Sequence, residues 1–283
     1  MENLYKIGVI GSGAMGNGIA HVSAQSGFKT TLIDINQTQL DKALSLIGKN
    51  LDRQIKKNII TLNDKKDTLL NISSSTSLED CQDMDLIIEA IPEKYDLKVA
   101  LFKELSSICK DATILASNTS SISISNLGDK TNRPDKVIGM HFMNPVPVMK
   151  LVEVINTPNT SDDTTKKIVN LAKKMGKIPV QCSDYPGFVS NRILMPMINE
   201  AIFCLEQNVA TKEAIDQIMT LGMAHPMGPL KLADLIGLDV CLDIMEVLHV
   251  GFNDLKYMPC TLLKKMVSNG LLGKKTGQGF YKY

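Results

Sequence analysis

One short stretch constrains this chain of 283 residues more than any other: Gly11-Ser12-Gly13-Ala14-Met15-Gly16. It fits the pattern G-x-G-x-x-G, follows an apolar run ending at Ile10 and opens a helical pattern at Ala14. An acidic residue, Asp34, closes the next strand-like run 23 positions after Gly11. That context marks a strand–turn–helix unit shaped for a dinucleotide. Gly11 permits the tight turn, Gly13 lets a pyrophosphate approach the backbone, and Gly16 lets the helix pack on the strand. The helix start at Ala14 and Met15 offers N–H groups and a positive dipole end to the phosphates. Asp34 can accept both hydroxyls of an adenosine ribose. Its charge repels a 2′-phosphate and no Arg follows it in Ile35-Asn36-Gln37, which favours NAD over NADP. A plain glycine turn with Asp34 as a solvated strand end is the alternative, and placement and spacing argue against it.

The rest of the first half alternates short apolar runs with helical patterns. Tyr5–Ile10, Lys29–Ile33, Leu86–Ala90, Thr113–Ala116 and Val137–His141 read as strands, Ala14–Ser26 as a helix, and Asn36 as the cap of a long helix reaching about Lys57. Continuous apolar strands separated by helices imply a doubly wound, mostly parallel sheet of the Rossmann type. The pattern changes near Tyr185-Pro186-Gly187. Beyond it no strand is expected, and 191–205, 210–221, 229–236, 239–250 and 259–267 carry helical stripes, with Pro196 predicting a kink or a helix start. The expected organisation is an α/β domain over 1–184 and an all-helical one over 185–283. The balance of 31 basic and 30 acidic side chains offers no electrostatic reason for a nucleic-acid or anionic-membrane partner. No apolar run is long enough to span a bilayer, and Met1-Glu2-Asn3-Leu4 does not begin a signal peptide. The closest of the six cysteines are 19 residues apart, so no metal spacing exists and a reducing, cytoplasmic setting is expected.

Of four histidines, His21 reads as a packed or solvated helix residue, His225 as a turn residue, and His249 as a partner of its helix's C-terminal dipole. His141 differs. It ends a strand and precedes the turn signal Phe142-Met143-Asn144-Pro145, and ligands of open α/β sheets bind at strand ends. Glu153, 12 residues on, interrupts the apolar run Leu151–Ile155, where a carboxylate is costly unless paired. A hairpin-like return through 145–149 would bring it beside His141. Neutral imidazole suits removal of a hydroxyl proton near pH 7, and a carboxylate would fix its tautomer and stabilise imidazolium. A structural His–Glu pair on neighbouring strands explains the same spacing equally well. Ser117-Asn118-Thr119-Ser120-Ser121 follows another strand, where a helix cap is the simpler account of spacing alone. Asn191 sits at the boundary of the two expected domains, where ligand sites are common and where it too could be a cap.

These strings, together with Pro186-Gly187-Phe188, Asn191-Arg192, His225-Pro226-Met227-Gly228-Pro229 and Gly273-Lys274-Lys275-Thr276-Gly277-Gln278-Gly279-Phe280-Tyr281, resemble the L-3-hydroxyacyl-CoA dehydrogenases over essentially the whole chain. The likeness is greatest to the short bacterial 3-hydroxybutyryl-CoA dehydrogenases. The resemblance implies that His141 is the catalytic acid/base, that Glu153 orients it, and that Ser120 and Asn191 bind substrate oxygens. It further implies that Asp34 holds the NAD ribose, that Glu93 and Lys98 contact the nicotinamide half, and that Asn118 lies near both ligands. Arg53, Lys56 and Lys57 would meet the CoA phosphates, although a solvated helix face explains them nearly as well. A homodimer through the helical domain is implied, as is an acyl-CoA substrate of butyrate or fatty-acid metabolism. Met143, Ser190 and Lys231 depart from the family's usual residues. A non-catalytic NAD-binding relative and a dehydrogenase of free 3-hydroxyacids are the competing readings. The second would use a lysine in place of the histidine–glutamate pair.

Overall fold

The computed structural model describes residues 6–283. Tyr5, expected to open the first strand, and the leading Met1-Glu2-Asn3-Leu4 lie outside the described residues. The chain divides into two compact units, one ending at Asp184 and one spanning Tyr185–Tyr283.

The first unit alternates strand and helix: β1 (Lys6–Ile10), α1 (Ala14–Gln25), β2 (Lys29–Ile33), α2 (Gln37–Lys56), α3 (Leu62–Leu70) and β3 (Ile72–Ser75). There follow β4 (Leu86–Glu89), α4 (Tyr95–Ile108), β5 (Ile114–Ser117), α5 (Ile124–Gly128), β6 (Val137–Phe142), β7 (Leu151–Asn156), α6 (Asp162–Lys174) and β8 (Ile178–Ser183). The strands form one sheet in the order β3-β2-β1-β4-β5-β6-β7-β8. Only the β6–β7 pairing is antiparallel. The order reverses between β1 and β4, the switch point where such sheets open a crevice for a ligand. This is the Rossmann-type, mostly parallel sheet expected from the alternating pattern. Ile7, Val9, Leu86, Ile88, Ala116, Ile138 and Met140 fill its core, continuous with Ile19 and Leu40 of the helices.

Local chemistry sets several helix ends. The Asn36 side chain accepts from the Gln39 N–H and starts α2, and Thr61 with Asp64 forms a capping box at α3. The guanidinium of Arg133, only 4% exposed, closes α4 by donating to the carbonyls of Ser106, Cys109 and Lys110. Two strands escaped the sequence reading. β3 and β8 are the sheet edges. Their sequences, Ile-Ser-Ser-Ser and Ile-Pro-Val-Gln-Cys-Ser, are half-exposed and lack the continuous apolar run of a central strand.

The second unit is helical: α7 (Ser190–Glu206), α8 (Lys212–Gly222), α9 (Pro229–Ile236), α10 (Leu238–Phe252) and α11 (Thr261–Ser268), with only isolated bridges near its end. Pro196 lies inside α7, which continues through it to Glu206, so it does not start the helix. The core here holds Met195, Ile198, Leu230, Cys241, Met245, Leu248 and Leu263. Two buried carboxylates tie it together. Asp216 accepts from the N–H groups of Leu230 and Lys231, and Asp234 accepts from those of Phe280 and Tyr281. Lys231, one of the unusual positions, lies over the Tyr281 ring at 5.4 Å. His249 lies in the last turn of α10, as expected, and its ring also pairs with the Asp254 carbonyl beyond the helix end. Among the described residues no helix is long and apolar enough to cross a membrane.

Candidate functional site

The glycine turn lies between β1 and α1. Gly11 has φ of 99°, and a Cβ there would fall 2.5 Å from the Ala90 carbonyl oxygen. A Cβ on Gly16 would overlap the Gly11 carbonyl oxygen. Protein packing therefore accounts for both. Gly13 is different: a Cβ on it would meet nothing within 4 Å. Gly13 and Ala14 are exposed, Met15 is half-buried, and α1 begins with no side-chain cap and no acid in its first turn. A bare, uncapped helix start beside an open glycine suits a pyrophosphate, and the residues present fit a dinucleotide. Asp34, at the end of β2, accepts from the Ser12 N–H at 2.8 Å, the Ser12 hydroxyl at 2.7 Å and the Asn36 N–H at 3.1 Å. Ser12 thus orients the Asp34 carboxylate, a part that the motif alone did not reveal.

Across the switch point, three strand ends carry polar side chains. Glu89, fully buried, ends β4. Its Oε1 accepts from the Lys98 ammonium at 2.5 Å and the Ile91 N–H at 2.7 Å, and its Oε2 from the Ser117 hydroxyl at 2.5 Å. Burial pushes the Glu89 carboxyl up, and Lys98, Ser117 and Ile91 oppose that push. Lys98 also reaches Glu93 Oε2 at 3.1 Å and the Ile91 carbonyl at 3.3 Å, so three acceptors match its three hydrogens. Glu93 holds the loop after β5. It accepts from the Thr119 hydroxyl, the Ser120 N–H at 3.0 Å, and the Ser121 N–H and hydroxyl at 3.1 and 3.0 Å. Burial works against its charged form, but Lys98 and these donors outweigh it and hold the carboxyl below its usual range. The 117–121 run is therefore not a helix cap: Ser123 caps α5, and Asp184 accepts from Ser123, Ile124 and Ser125 there.

The third end is that of β6. Antiparallel register sets His141 directly opposite Glu153. Opposed residues share a face with Cβ atoms about 5 Å apart, close enough for direct contact. His141 Nδ1 and Glu153 Oε2 are 2.8 Å apart, with the side chains 10% and 5% exposed. A carboxylate only accepts, so Nδ1 carries the hydrogen and Nε2 is the basic nitrogen. The Asn118 side-chain oxygen accepts from the Phe142 N–H at 2.9 Å and ties the β5 end to the β6 end. Lys177, at the foot of β8, donates to the Val146 and Met149 carbonyls and fixes the loop between β6 and β7. The sheet thus brings Asn118, Ser120, Glu93, Lys98, His141 and Glu153 to neighbouring strand ends. Asn191 belongs to the second unit, where it is the second residue of α7 and is buried, not the cap that starts the helix.

A groove of about 780 Å³ opens on the first unit, with Arg53, Lys57, Lys150, Lys174 and Lys177 in its wall and no acid. Lys56 is exposed on α2 but does not line it, so only two of the three expected basic residues face this groove. Glu89 and Lys177 were not singled out by sequence, and Ser12 and Ser117 entered only as members of their motifs. For Glu89 the signal was available, because it ends an apolar strand just as Glu153 interrupts one. No group of three or more His, Cys, Asp or Glu could hold a metal among the described residues.

Comparison with known proteins decides the family. Residues 6–185 match the model of the 3-hydroxyacyl-CoA dehydrogenase NAD binding domain, and residues 187–283 that of the C-terminal domain. The chain belongs to the 3-hydroxyacyl-CoA dehydrogenase family. It is 52% identical over 278 residues to a 3-hydroxybutyryl-CoA dehydrogenase of Clostridioides difficile, covering 98% of this chain and 99% of the relative. It is 50% identical to another from Bradyrhizobium diazoefficiens, covering 98% and 95%. The crystal structure of a Ralstonia eutropha (S)-3-hydroxybutyryl-CoA dehydrogenase superposes with a TM-score of 0.97 at 48% identity, covering 99% of each chain. The protein is an NAD-dependent 3-hydroxyacyl-CoA dehydrogenase, and the open turn at Gly13 belongs to its NAD-binding domain.

Proposed function

We propose that this dehydrogenase interconverts L-3-hydroxybutyryl-CoA and acetoacetyl-CoA, with His141 moving the proton and Glu153 holding the imidazole. The 2.8 Å contact between two buried side chains at the crevice end of the sheet carries this reading. NAD held at the Gly11–Gly16 turn and Asp34 would supply the two-electron acceptor for the hydride of substrate C3. In oxidation, His141 Nε2 removes the C3 hydroxyl proton while Glu153 stabilises the imidazolium. In reduction the same nitrogen returns the proton. Ser120 and Asn191 hydrogen-bond the substrate oxygens, and Asp34 takes the adenosine ribose. Glu93, Lys98 and Asn118 serve the nicotinamide half. Arg53 and Lys57 meet the CoA phosphates, supported by the acid-free basic groove. The four-carbon substrate is supported by the names of the relatives.

The helical unit is the dimerisation and substrate domain in this reading. Its exposed Ile193, Leu221, Val250 and Leu255 are large apolar side chains of the kind that association surfaces bury, and they support a homodimer. All six cysteines are thiols, as suits the reducing cytoplasm. The test is loss of NADH absorbance on adding acetoacetyl-CoA. The wild type consumes NADH, and His141→Gln loses at least about 10²-fold in kcat while still binding NADH. Turnover by that variant at the wild-type rate overturns the assignment.

A further inference from the structure

Glu89, Glu93 and Lys98 put two carboxylates and one ammonium at the end of β4. With Glu89 held as a carboxylate against its burial by the Lys98 ammonium, the Ile91 N–H and the Ser117 hydroxyl, the three carry one net negative charge. Glu89 is fully buried and Lys98 is 1% exposed, while the Glu93 side chain is 37% exposed, so water screens this charge only in part. The nearest charges in sequence, Lys94 and Asp96, are exposed and opposite in sign. Ribose binding at Asp34, on β2, sends the other half of the dinucleotide across the switch point, over the ends of β4, β5 and β6. Strands lie about 4.8 Å apart, so a nicotinamide lying over those ends would be within about 10 Å of the cluster. The ring is cationic in NAD⁺ and neutral in NADH. A fixed charge therefore acts on one redox form only.

We propose that Glu89 is a buried positioning and charge-setting residue that favours the oxidised cofactor over the reduced one. It locks Lys98, and through it Glu93, while supplying the negative charge that leaves the cluster net anionic. The reaction's overall equilibrium belongs to the reactants, so the charge alters the ratio of NAD⁺ and NADH affinities and leaves that equilibrium untouched. The inference rests on NAD binding at this sheet and on no assumption about the acyl substrate.

The experiment measures Kd for NAD⁺ and for NADH, by titration calorimetry and NADH fluorescence, in the wild type, Glu89→Gln and Ser117→Ala. One unit charge about 10 Å away, at an effective dielectric between protein and water, changes the ratio Kd(NAD⁺)/Kd(NADH) about four-fold. Glu89→Gln raises the ratio by that factor. Ser117→Ala removes a hydrogen bond to Glu89 without changing charge and leaves the ratio at its wild-type value. Equal weakening of both cofactor forms in Glu89→Gln, or the same ratio change in Ser117→Ala, overturns the proposal in favour of a purely structural carboxylate. Should Glu89→Gln not fold, Glu93→Gln removes one charge at a partly exposed side chain. The ratio rises again if the inference holds, and an unchanged ratio refutes it. A wild type that binds neither form refutes the NAD-site reading itself and the inference with it.

Discussion

Replacing Glu153 by Gln tests the proposed chemistry most directly. The variant keeps the shape of the side chain and removes its charge. In the wild type, proton transfer to His141 creates an imidazolium whose Nδ1 lies 2.8 Å from a carboxylate oxygen, with both side chains at most 10% exposed. With charge centres about 4 Å apart and an effective dielectric of about 20, that attraction is about 4 kcal/mol. Gln can still accept the Nδ1 hydrogen through its own oxygen, which offsets roughly a quarter to a half of the loss. The expected fall in kcat is therefore about 30- to 150-fold, at 1.36 kcal/mol per decade. Amide rotation that offers Nδ1 a donor would deepen it by selecting the wrong tautomer. The assay is NADH oxidation by acetoacetyl-CoA at saturating concentrations, with thermal denaturation as a control for folding. A kcat within about five-fold of wild type in a folded variant would falsify the assignment of Glu153 as an electrostatic partner and leave a structural pair.

Three further outcomes follow from the same structure. Arg133→Met strips three carbonyls at the end of α4 of their donor, and chemical denaturation should show a loss of about 3 kcal/mol; a change under 1 kcal/mol would mean that water replaces the guanidinium without cost. Burial lowers the His21 pKa from 6.5 to about 4, with its Nδ1 left unpartnered, so His21 enters the fold neutral. Its unfolded form binds a proton first as pH falls. Stability is therefore complete above about pH 6.5, declines toward pH 4, and loses about 3 kcal/mol over that window. His21→Gln should flatten this decline in urea titrations, and an identical pH dependence in the variant would exclude His21 as its source. Lys57→Ala should raise KM for acetoacetyl-CoA several-fold, more at low than at high salt, with kcat unchanged; an unaltered KM would remove the basic groove from CoA binding.

How much of the site was legible varies with the range of the interaction. The Gly11–Gly16 turn and Asp34 belong to one βαβ unit, so local spacing alone announces them, and the family comparison agrees on NAD. The pairing of His141 with Glu153 was expected from a hairpin return and is seen in the β6–β7 register, whereas spacing left open whether the pair is catalytic or structural. Lys56 looked equivalent to Lys57 on a charged helix face, and only the course of α2 separates the one that lines the groove. The Ser117–Ser121 run looked like a cap because the competing acceptor, Glu93, comes from a loop 26 residues away.

By itself, the order of residues determined the alternation of strand and helix, the all-helical second half and the identity of the cofactor. These follow from periodicity and from groups close along the chain. Which polar side chains meet was decided only when β4, β5 and β6 took adjacent places in the sheet. Hydrogen bonding across strands is set by lateral order and register, and neither is encoded in any one segment. That is why Glu89, isolated in an apolar run, acquired Lys98 and Ser117 as partners, and why Asn118 came to steady the strand that carries His141.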